Sequence, residues 1–145
     1  MILIEYHKVT VATLKNKKVT QIQFSSANDY EINRISFDVK TALFLRNARI
    51  IVNRKREIKK RVEVYEEVIS SFELSSKNEN SFAINNLYEK EFTIEIDNQD
   101  NLPLEIASIK LFQNPVYLIS DLKQHHFFLK KHRLLELVYM FMQKK

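Results

Sequence analysis

A chain of 145 residues without a single glycine lacks the residue that most readily takes left-handed backbone. Average usage of about 7 % would supply roughly ten glycines in this length. Every turn that needs a positive φ therefore falls to Asn or Asp, the next most tolerant residues. The same absence bears on function. Phosphate-cradling loops and the dinucleotide fingerprint need backbone without a Cβ at set positions, so both are excluded. Cysteine is absent too, which removes disulfides, thiolate catalysis and cysteine-based zinc sites.

What remains is a composition suited to strands. Hydrophobic residues make up 45 % and charged residues 28 %, with ten Phe and six Tyr, an ordinary globular balance rich in residues that suit a pleated surface. Up to about residue 123 the period is two. Thr20, Ile22 and Phe24 alternate with Gln21 and Gln23; Ile35, Phe37 and Val39 with Ser36 and Asp38; Phe92, Ile94 and Ile96 with Thr93 and Glu95. Each pattern predicts a strand with one face on a core and one in water. Val62 opens a similar stretch toward Leu74, while Ala48–Val52 and Val116–Leu122 are more continuously apolar, as for strands covered on both faces. From Leu104 to Leu111 the apolar parity slips, which predicts a β-bulge near Ile106–Ala107.

Polar stretches at Ser25–Asp29, Lys77–Asn80, Asn85–Asn86 and Asp97–Asn101 read as turns between eight or nine short strands. The predicted fold is all-β, an antiparallel β-sandwich over residues 1–123, with residues 124–145 as a helical or disordered tail of different character. Within the tail, Leu134, Val138, Phe141 and Met142 share one face of a short C-terminal helix flanked by Lys and Arg. The segment Met1–His7 lacks the pattern of a signal peptide. No run reaches 18 apolar residues, so no complete transmembrane helix is expected.

The stretch from Glu91 to Leu104, with Ile94-Glu95-Ile96-Asp97-Asn98-Gln99-Asp100-Asn101-Leu102-Pro103-Leu104 at its heart, resembles a strand–turn–strand signature of a bacterial family of unknown function. Its members are mostly large envelope proteins. Tyr30–Val39 and Phe44–Ala48 are similar to that family's upstream segments, and Val116–Ile119 to a downstream strand; the resemblance covers about residues 5–123. It implies a jelly-roll sandwich like galactose-binding or discoidin-like domains, export to the periplasm or cell envelope, and the rest of a larger envelope protein as partner. Gln99 stands where the family tends to have Gly and Leu102 where it tends to have Pro. The change of character after Lys123 leads to the expectation that the chain is a fragment or frame-shifted reading frame.

Two clusters stand out as candidate sites. Asp97, Asn98, Asp100 and Asn101 gather oxygen atoms in one loop, the ligand type of calcium; the same residues are what a glycine-free hairpin uses for turn hydrogen bonds, and that reading is preferred. Arg54, Arg56, Lys59 and Lys60 belong to a basic segment. From Lys40 to Arg61 there are nine Lys or Arg against one acid, Glu57, in a chain of net charge +5. Phosphate or an anionic membrane could be gripped there. No aromatic interleaves the basic residues, so a nucleic-acid partner is disfavoured, and a solvated hairpin tip accounts for them as well. His125, His126 and His132 have no carboxylate at ligand spacing.

No nucleophile elbow or triad order is recognisable, and no metal, cofactor or enzymatic activity is expected. The expected function is a non-catalytic binding or scaffolding domain, with a glycan or cell-surface polymer as ligand. The alternatives are a structural spacer and a basic binder of nucleic acid or anionic membrane.

Overall fold

In a computed structural model the structure describes residues 1–115, with the side chain of Asn86 set aside. The predicted strand Val116–Leu122, the C-terminal helix, the tail histidines and the boundary at residue 123 lie outside the described residues. The described part is all-β. Its strands are β1 (Ile2–Ile4), β2 (Lys8–Leu14), β3 (Val19–Val39), β4 (Leu45–Ile58), β5 (Arg61–Ser75), β6 (Ser81–Asp97) and β7 (Ile106–Gln113). They form one antiparallel sheet in the order β1-β7-β3-β6-β4-β5, with β2 paired to β3 beside this path.

The strands are longer than the turn signals suggest. β3 has 21 residues, β6 17, β5 15 and β4 14. Ser25–Asp29 and Asn85–Asn86, expected as turns, lie inside β3 and β6. The register between these two strands breaks between Ser25 and Tyr30 and again between Ile32 and Arg34. A bulge draws on the same small polar residues as a turn, because both need backbone outside the ladder and local side-chain hydrogen bonds; Asn28 N–H, for example, approaches Ser26 Oγ at 3.4 Å. In β7 the shift falls as expected: Asp38 pairs with Ser108 and Val39 with Ile106, leaving Ala107 as the extra residue.

The breaks divide the long β3–β6 pair into two halves. Val19–Ser25 of β3 lies between β2 and the Glu91–Asp97 half of β6, which continues to β4 and β5. From Tyr30 onward β3 pairs with the other half of β6 and then with β7. Both halves contribute to one apolar core: Ile22, Phe24, Ile50, Phe92, Ile94 and Ile96 from the first, Ile35, Phe37, Ile84 and Leu111 from the second. Each such side chain contributes roughly 1.5–3 kcal/mol by leaving water. Phe24 and Phe92 stack at 4.7 Å with Tyr6 edge-on to both. Phe72 of β5 stacks on Phe82 of β6 at 4.4 Å and touches Phe37 of β3 at 5.7 Å, so the β4–β5 side reaches across to the second half.

Among the described residues positive φ falls on Lys18, Lys59, Lys60 and Gln99, not on Asn or Asp. Lys59 and Lys60 form the two-residue link closing Ile58 onto Arg61, and positive φ at both positions is what a type I′ hairpin demands.

Candidate functional site

The first predicted cluster is a turn whose side chains are committed to holding it. Gln99 N–H donates to Asp97 Oδ1 at 3.0 Å, and Asn101 N–H to the Asn98 carbonyl at 3.0 Å. Asn98 is buried; its amide Nδ2 donates to Thr20 Oγ1 at 2.7 Å, and its Oδ1 is buried without a hydrogen-bond partner. Asp100 is drawn instead to Lys18 Nζ at 2.6 Å. That hydrogen bond, and then the ammonium charge, lower the Asp100 pKa. Among the described residues no three His, Cys, Asp or Glu side chains converge as metal ligands.

The second cluster sits on the β4–β5 hairpin. β4 pairs with β6 only over Ala48–Ile51. Beyond that point β4 and β5 run on as a two-stranded ribbon to the Lys59–Lys60 link. Register brings an acidic strand alongside the basic one. Arg54 bridges Glu67 at 2.8 Å and Glu89 of β6 at 2.6 Å. Arg56 meets Glu63 at 3.2 Å and lies 4.9 Å over the Tyr65 ring. Lys55, Lys59, Lys60 and Arg61 are exposed. The basic count along the sequence stopped at Arg61, just before the strand that supplies the carboxylates; the signal that could have revealed them is the hairpin register itself, which needs the turn at Lys59–Lys60 to be placed.

A third arrangement was not singled out from the sequence. The residues opposite the core-facing ones on β2, β3, β6, β4 and β5 form a continuous outer face. Register aligns Thr10, Gln23, Thr93 and Ile51 in one row, and Ala12, Gln21, Glu95 and Arg49 in the next. Glu95 is the centre of the second row. Its Oε1 accepts from Arg49 Nη2 at 2.7 Å and Nε at 3.0 Å, and its Oε2 accepts from Gln21 Nε2 at 3.0 Å. Burial opposes ionisation, but the bonds from Gln21 and Arg49 and the charges of Arg49 and Lys17 outweigh it and hold the carboxyl below its ordinary pKa.

Two clefts open on this face. One of about 370 Å³ is bordered by Lys8, Gln23, Asn53, Glu91 and Thr93. The other, of about 680 Å³, is bordered by Lys17, Asn47, Arg49, Ser71, Glu73 and Glu95. Of the residues predicted as sites, Asp97 alone borders a cleft among those described, the larger one. The polar halves of the alternating strands were visible in the sequence as Gln21, Gln23, Thr93 and Glu95. Which strands would lie side by side was not. Chemically the face offers amides, carboxylates and a guanidinium with fixed directions, a set that can accept from and donate to hydroxyl groups. No protein family, curated protein or solved structure matches this chain.

Proposed function

We propose that the chain is a non-catalytic binding module of a larger cell-envelope protein, and that it takes a carbohydrate or cell-surface polymer on the outer face of the β2-β3-β6-β4-β5 half. The observation that carries this is the Gln21–Glu95–Arg49 row with a cleft on each side. Preset polar groups lose little freedom on binding a hydroxyl-rich ligand. Glu95 is held ionised between two donors, which suits an acceptor and not a proton donor. The envelope setting rests on the resemblance of residues 5–123 to the envelope family.

In this reading the two halves of the sheet fold over one another as a jelly-roll-like sandwich. Support comes from the shared core and from Phe72 meeting Phe37 and Phe82 across it. The basic alternative is weakened by the carboxylates that engage Arg54 and Arg56.

A glycan array probed with the full chain tests the proposal. The expected result is a restricted set of bound glycans, with affinity falling roughly tenfold or more in Arg49→Ala and Glu95→Gln, the scale of a lost charge-assisted hydrogen bond. Binding to anionic vesicles or DNA that disappears with salt and with Lys59→Ala/Lys60→Ala would favour the basic reading. Silence in both assays would favour a spacer.

A further inference from the structure

The larger cleft has a direction as well as a volume. Its border takes residues from four strands, Val19 of β3, Glu95 of β6, Arg49 of β4 and Ser71 of β5. The sheet sets these strands side by side in that order, and Glu95, Arg49 and Ser71 stand in one register row. Three strand spacings make the cleft roughly 14 Å long across the sheet. Exposed charges mark its two ends: Lys17 in the turn before β3, and Glu73 on β5. The turn that carries Lys17 is anchored, because Lys18 Nζ meets Asp100 at 2.6 Å and the Lys18 carbonyl accepts the Asn98 N–H at 2.9 Å. Phe72, the aromatic on the border, stacks on Phe82 at the core side, so grip falls to the polar groups. One exchanged hydrogen bond is worth little net, and useful affinity needs several of them spread along the cleft.

We propose that this cleft is a groove for an extended segment of a linear polymer, which crosses the strands from Lys17 to Glu73 with Glu95 and Arg49 gripping its middle. The proposal rests on the carbohydrate reading of the outer face and adds the class of ligand: a stretch of several linked sugar units, not a single sugar. One sugar ring is shorter than the groove and reaches only part of it. Each further unit brings new polar groups to the protein without a second loss of translational and rotational freedom, so affinity grows with length until the groove is filled. The smaller cleft, of about 370 Å³, borders neither Glu95 nor Arg49 and so lacks the preset ion pair at its centre.

Calorimetric titration of the full chain with size ladders is the test. The probes are oligosaccharides of chitin, cellulose and laminarin, each from one to six sugar units. For at least one ladder, affinity is expected to rise roughly tenfold or more from the single sugar to the longest chain and then level off. Lys17→Ala and Glu73→Ala, at opposite ends, are each expected to weaken the longest chain roughly threefold or more and to flatten the dependence on length. Both side chains are exposed, and circular dichroism checks that the fold is kept. A single sugar that binds as tightly as the six-unit chain, and is lost in Arg49→Ala, would overturn the groove and leave the outer-face reading standing. A dependence on length that ignores both end variants would overturn the groove too. If no ladder binds, the groove falls, and the reading beneath it falls as well when the glycan array is also silent.

Discussion

Gln99 shows how the absence of glycine is handled at single residues. Its φ is 54°, in the region that carries a steric cost for any side chain with a Cβ. Asn98 and Asp100, the residues expected to take that conformation, are engaged otherwise: Asp100 pairs with Lys18, and Asn98 is buried against Thr20. The left-handed position therefore passes to the next residue, at the place where the resembled signature has Gly. Gln99→Gly is expected to raise stability by about 1 kcal/mol, read from urea unfolding. Composition made clear that non-glycine residues had to turn the chain. It did not reveal which ones, because side-chain hydrogen bonds compete for the same Asn and Asp.

Tyr6 gives a pH dependence at the same scale. Its hydroxyl donates to the Glu89 carbonyl at 2.5 Å. Burial first, then the carboxylates of Asp29 and Glu89 and the phenol of Tyr30, raise its pKa well above the ordinary 10.0. The folded chain thus keeps a proton that the unfolded chain releases near pH 10. The resulting stability is complete below that pH and is lost as pH rises toward the folded pKa. Tyr6→Phe is expected to lower neutral-pH stability by about 1 kcal/mol through the lost hydrogen bond and to flatten the alkaline decline. Urea midpoints of both proteins from pH 8 to about 11 check this.

At the scale of elements, alternation located the strands and the parity slip located the bulge in β7, because both follow from side-chain direction alone. Strand length was misjudged for a physical reason: Ser25–Asp29 and Asn85–Asn86 interrupt the ladder without reversing the chain. The ribbon illustrates a second limit. Arg54 and Arg56 read alike in sequence, yet Arg54 ties β4 to both β5 and β6, whereas Arg56 meets Glu63 and Tyr65 of its hairpin partner strand. Hydrogen exchange of ribbon amides should therefore speed up roughly tenfold in Arg54→Ala and by less than about twofold in Arg56→Ala, given the small worth of an exposed pair.

For the whole molecule, the all-β class was legible because a two-residue period over most of the chain admits little else. The outer face was only half legible. Gln21, Gln23, Thr93 and Glu95 announced themselves as water-facing, but Asn47 and Arg49 join them only through the β6–β4 pairing, a long-range contact that no local pattern encodes. The proposed binding function depends on that juxtaposition. Chemical-shift mapping of the full chain, titrated with the glycans bound on an array, tests it most directly. The expected result is a contiguous set of shifts over Gln21, Gln23, Arg49, Thr93 and Glu95, with the turn at Asp97–Asn101 and the ribbon tip at Lys59–Lys60 unmoved apart from Asp97 at the cleft rim. Shifts centred on the ribbon tip, or the absence of any bound glycan, would contradict it.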